Sequence, residues 1–78
     1  MKELVEYLAR HLVSRPESVD VRETHGETAS VVELKVAKED LGRIIGKQGR
    51  TAKAIRTILN AAASRANRKV VLEIIEEP

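Results

Sequence analysis

The chain has 78 residues, 42% of them hydrophobic and 33% charged, with no cysteine and a formal net charge of +2. That length limits it to one domain with a small core, and the lack of cysteine excludes disulfides and thiolate metal sites, so aliphatic packing must hold the fold. Tyr7 is the only aromatic residue, which excludes the nucleic-acid readers that stack bases on aromatic platforms. Glu3, Glu6 and Arg10 interrupt the first residues. A signal peptide or a membrane span is therefore not expected, and the cytoplasm is the expected location.

Leu4, Val5, Leu8, Ala9, Leu12 and Val13 recur at helical spacing and predict an amphipathic helix over residues 2–13, stopped by Pro16. Tyr7 and His11 lie four apart on its flank, where His11 reads as a boundary residue and not a metal ligand. Val19-Asp20-Val21-Arg22 alternates and predicts a short strand ended by the turn signal His25-Gly26-Glu27. A second strand over 29–36 puts Val32, Leu34 and Val36 on one face and Glu33 and Lys35 on the other, and the two strands are expected to form an antiparallel hairpin.

Residues 38–45 predict a short helix with Leu41, Ile44 and Ile45 on one face. Glu39 and Asp40 ahead of it read as acids serving its first turn. Gly42 costs on the order of 1 kcal/mol against alanine inside a helix, so it is expected either to relieve helix crowding or to admit a ligand. From Arg50 or Thr51 to about Ala66 a longer helix is expected, with Ala52, Ile55, Leu59, Ala62 and Ala66 buried and Ile58 widening that face. Asn67 reads as its stop. A last strand over 69–75 places Val70, Leu72 and Ile74 on one face and Val71 and Ile75 on the other, as in a partly covered strand or an interface. Glu76-Glu77-Pro78 reads as a solvated end.

The chemistry concentrates in the middle of the chain. Between Leu41 and Leu72 there is no acid, whereas Arg43, Lys47, Arg50, Lys53, Arg56, Arg65, Arg68 and Lys69 all carry positive charge. Such a segment suits a polyanion, although a solvated basic helix face would look the same. Three of the four glycines also fall here, and Gly46-Lys47-Gln48-Gly49 leads directly into the longer helix. Glycine at both ends of a tight turn allows positive φ and close approach of another backbone. The helix that follows is expected to leave its first N–H groups unpaired. Those donors, the positive end of the helix dipole, Lys47 and Arg50 would together receive a phosphate.

Ile44-Ile45-Gly46-Lys47-Gln48-Gly49-Arg50 between two helices resembles the GxxG loop of the KH domain, an RNA-binding module. The predicted order α-β-β-α-α-β matches the type II KH topology over nearly the whole chain. With one domain and nothing more, the chain is similar to the small bacterial single-KH RNA-binding proteins of the KhpA type. The resemblance implies an α+β fold over residues 1–78, with a three-stranded mixed sheet covered by three helices on one face. It implies that the GxxG loop contacts the backbone of single-stranded RNA, and that Ile44 and Ile45 border an aliphatic groove for about four bases. Lys47 and Arg50 would assist at phosphates and Lys53 would add to them, while Gly42 and Arg43 complete the expected RNA-binding set. Ala52 departs from the larger aliphatic residue that many KH domains carry there, which bears on the depth of the groove. Family members are implied to associate, as a homodimer or with a second KH-containing protein, and neither a cofactor nor a membrane is implied.

Three other functions compete with RNA binding. An enzyme would need an acid/base constellation, and none appears; the GxxxxGK[ST] phosphate loop is also missing. A protein-interaction module, with GxxG only as a structural turn, draws support from Val71 and Ile75. Ribosome assembly through structured RNA is the third. Post-transcriptional regulation is the role expected of a KH protein of this kind.

Overall fold

The computed structural model describes residues 1–76. Helix α1 (Lys2–Leu12) leads through a 3-10 turn at Pro16–Ser18 into β1 (Asp20–His25) and β2 (Ala29–Lys35). Then come α2 (Leu41–Ile45), α3 (Arg50–Arg65) and β3 (Lys69–Ile74). The sheet order is β1-β2-β3, antiparallel between the first pair and parallel between the second. A mixed sheet follows because the α2–α3 pair carries the chain back to the same end before β3 begins. The expected order α-β-β-α-α-β and the three-stranded mixed sheet are both present. Glu77 and Pro78 of the expected solvated end lie outside the described residues, and Glu76 is exposed.

One core holds the layers together. Val21, Val32, Leu34, Val70 and Leu72 from one sheet face meet Val5 and Ala9 of α1, Ile44 of α2, and Ile55, Leu59 and Ala63 of α3. The strand alternation explains the choice of face, since Val21 pairs with Leu34 and Val32 with Leu72 across the sheet. On the opposite face Val31 is half-buried and Val71 is exposed.

Several local expectations need correction. β1 runs three residues beyond Arg22, because Glu23, Thr24 and His25 continue the ladder opposite Val32, Val31 and Ser30. Glu23 points to the helix side, where its carboxylate accepts the Lys2 N–H at 3.0 Å and faces the terminal amine at 3.7 Å. That pairing keeps a charged residue tolerable in the strand. The buried face of α3 is Ala52, Ile55, Leu59 and Ala63, while Ala62 is half-buried and Ala66 and Ile58 are exposed. Spacings of three, four and four follow the 3.6-residue helix, and Ala66 sits where the helix is already ending. Asn67 does stop it, at φ 56°. The Arg68 N–H donates to the Ala63 carbonyl and the Asn67 N–H to the Ser64 carbonyl, the two bonds of a Schellman cap.

Asp40 is the main correction. It is fully buried and makes no side-chain cap bond to α2. Its carboxylate instead accepts the Ser14 N–H at 2.9 Å, the Ser14 hydroxyl at 2.8 Å, the Arg15 N–H at 3.1 Å and an Arg43 guanidinium N–H at 2.7 Å. The residue read as a dipole partner therefore ties the exit of α1 to the start of α2. The Ser14 amide is the largest cause pulling its pKa from 3.8 down to about 2, against the opposing effect of burial; the Ser14 hydroxyl, Arg43 and the Arg15 amide add to the lowering.

Candidate nucleic-acid interface

The loop between α2 and α3 is built on two glycines with different duties. Gly46 ends α2 at φ 79°, and its N–H donates to the Gly42 carbonyl at 2.8 Å. A Cβ on Gly46 would lie 2.6 Å from Thr51 Cβ and 2.7 Å from the Thr51 nitrogen. Only glycine lets the start of α3 pack back onto this turn. Gly49 adopts φ 74° in open space, so there the backbone angle alone asks for glycine. Between them Lys47 and Gln48 form a single 3-10 turn, with Gln48 itself at φ 58°. Both side chains are exposed.

Backbone hydrogen bonds hold the loop. The Gly49 N–H donates to the Gly46 carbonyl at 3.1 Å, and the Arg50 N–H donates to the Lys47 carbonyl. The expectation that all the first donors of α3 are unpaired is thus corrected, because the 3-10 turn satisfies the one on Arg50. Lys47 and Gln48 are the exposed residues of this turn. They sit at the tip of the loop. α3 has neither a side-chain cap nor an acid in its first turn, so no carboxylate offsets the positive end of its dipole.

The expected site residues fall into distinct groups. Lys47, Gln48, Arg50 and Lys53 are exposed around the loop, and among the described residues none of the three cations makes an ion pair. Arg43 is exposed but bound to Asp40. Gly42 is exposed, and a Cβ there would meet nothing within 4 Å, so helix crowding does not explain it. Ile45 is half-buried beside the loop. Ile44 is the correction: at 0% exposure its side chain fills the core under α2 and cannot border a groove. Ala52 is buried too and forms no part of an open floor.

A cleft of about 160 Å³ lies between α3 and the edge strand β3, lined by Arg56, Leu59, Asn60, Val70, Val71 and Leu72. The Arg56 guanidinium spans it to the Leu72 carbonyl at 3.4 Å. The β3 wall is the part of this surface that sequence reasoning missed. Its signal was the second apolar face of β3, with Val71, and the polar row Arg50, Lys53, Arg56 with Asn60 nearby. Seeing that they meet requires the sheet order. Among the described residues no cluster of His, Asp or Glu could hold a metal ion, and no helix is long and apolar enough to cross a membrane.

Comparison with known proteins adds a family to this geometry. The family model described as the KH domain of KhpA/KhpB matches residues 2–74. The chain is 60% identical over 75 residues to the RNA-binding protein KhpA of Clostridium perfringens, covering 96% of this chain and all of that protein. It is 56% identical over 77 residues to the RNA-binding protein KhpA of Chlamydia muridarum, covering 99% of each. Against the RNA-binding protein KhpA of Treponema pallidum it is 47% identical over 75 residues, covering 96% of this chain and 94% of the other.

Proposed function

The chain belongs to the KhpA/KhpB KH-domain family, which is not enzymatic, and from that premise we propose that it binds single-stranded RNA through the Gly46-Lys47-Gln48-Gly49 loop. The observation that carries this reading is the tip of the loop. Lys47 and Gln48 are exposed at the acid-free start of α3, and among the described residues Lys47, Arg50 and Lys53 make no ion pair around them. An RNA phosphate there would gain charge-assisted hydrogen bonds and the helix dipole together. Bases would then lie along the cleft between α3 and β3, at the edge of the sheet, with Arg56 and Asn60 as hydrogen-bonding partners. No aromatic side chain is available for stacking, so aliphatic contact and polar edges must serve. The relatives are named RNA-binding proteins, which supports the same reading.

A salt titration with single-stranded RNA tests it. With two or three phosphates neutralised, log Kd should change linearly with log salt, at about 0.7 per contact. Binding indifferent to salt, or a preference for duplex RNA, would contradict the reading.

Association with a second KH chain is a further part of the proposal. Val31 and Val71 are neighbours on the sheet face that no helix covers, and Val71 is 50% exposed. A single KH module holds few bases, so a linked second site would raise avidity. A cytoplasmic role in post-transcriptional regulation is consistent with these properties.

A further inference from the structure

Beyond the loop and the cleft, a second open trough lies at the far end of α3. It encloses about 420 Å³ and is lined by Asn60, Ser64, Asn67, Arg68 and Lys69. Asn60 lines both this trough and the α3–β3 cleft. Resting on the reading of the loop as an RNA site, we propose that this trough is a second phosphate- and ribose-binding subsite, which extends the RNA footprint along α3 away from the GxxG loop.

Charge and hydrogen-bonding capacity both favour a nucleic-acid strand. Among the described residues no acid lines either cavity. The Arg68 guanidinium is held in place by the Gly26 carbonyl at 3.1 Å, the Glu27 carbonyl at 3.4 Å and the Ser30 hydroxyl at 3.1 Å. These partners are neutral, so the positive charge is fixed without being cancelled. Lys69 is exposed and makes no ion pair among the described residues. Asn60 and Ser64 offer side chains that can donate and accept, as a ribose hydroxyl requires.

The negative end of the α3 dipole opposes an anion here. The Schellman cap offsets that effect by occupying the Ala63 and Ser64 carbonyls, and Arg65 lies in the last turn. The distance also suits a longer strand. From Arg50 to Ser64 the helix rises about 21 Å at 1.5 Å per residue. A stacked strand covers that in about six nucleotides at 3.4 Å each, and an unstacked one in fewer.

The test compares labelled uridine oligonucleotides of about four and about twelve nucleotides, the shorter matching the span of a single KH groove. Wild-type protein should bind the longer RNA with a steeper salt dependence, by about 0.7 for each added contact. Lys69→Gln should remove one such increment, weakening the longer RNA about three- to fourfold at 0.15 M salt and leaving the shorter unchanged. Lys69→Glu should act in the same direction and more strongly, and the melting curves of both variants should match the wild type. Equal salt slopes for the two lengths would overturn the second subsite while leaving the loop reading intact, and so would variants that bind both RNAs like the wild type. Failure of wild-type protein to bind even the shorter RNA would overturn both.

Discussion

Asp40 shows how much a single side chain can organise. Its four hydrogen bonds come from the end of α1 and from α2, so its loss would free α2 and the loop that α2 carries. Because its folded-state pKa lies below the unfolded value, the carboxylate stabilises the fold fully above about pH 4. That contribution fades as pH falls through the folded value of about 2. Melting curves across this range should show Asp40→Asn less stable than wild type at neutral pH, with a flatter acid dependence between about pH 4 and 2. An unchanged acid profile would mean that the bonds to Ser14 and Arg15 carry little weight. The two loop glycines should also separate. Gly49→Ala faces only the left-handed backbone angle, about 1–2 kcal/mol. Gly46→Ala adds a collision with Thr51, worth roughly a further 1–3 kcal/mol if overpacking is the guide. Denaturant titration of both variants would rank them, and equal losses would deny the close approach at Gly46.

At the scale of elements, α3 links the core to the interface. Leu59 is 1% exposed at the centre of its inner face, and Leu59→Ala should cost about 2–5 kcal/mol in urea unfolding. Ile58→Ala, on a residue 44% exposed, should cost far less. The type of every major element could be read from the sequence because apolar spacing reports it directly: period two in Val32, Leu34 and Val36, and helical spacing in Ala52, Ile55 and Leu59. What stayed hidden depends on which elements meet. Asp40 reads as an acid near a helix start, and nothing local reveals the two amides of Ser14 and Arg15, some 25 residues away in the chain. Ile44 sits beside the GxxG residues in sequence, yet the turn of α2 sends it inward. The loop itself was legible because its glycines are demanded by backbone geometry within a few residues. The β3 wall of the cleft was not, since it forms only through the parallel pairing of β2 with β3.

Over the whole molecule, the acid-free stretch from Leu41 to Leu72 folds into α2, the loop, α3 and part of β3. Internal structure takes up some of its cations: Arg43 binds Asp40, Arg56 reaches the Leu72 carbonyl, and Arg68 clasps the β1–β2 turn. Among the described residues Lys47, Arg50 and Lys53 make no ion pair at one end of α3, nor do Arg65 and Lys69 at the other. The polarity of the molecule is thus an asset for a polyanion and has little bearing on stability, because exposed charges contribute little to folding. Replacing Lys47 and Gln48 together by aspartate tests the assignment of the loop as the RNA site most directly. Both glycines are kept, aspartate tolerates the left-handed conformation of Gln48, and carboxylates are locally favourable at a helix N-terminus, so folding should hold. The loop charge changes from +1 to −2 where the phosphate would sit. In an RNA-binding titration run beside melting and sedimentation measurements, the variant should lose about 2 kcal/mol or more of affinity, roughly thirtyfold, with its melting and oligomeric state unchanged. A folded variant that binds single-stranded RNA as well as wild type would contradict that assignment.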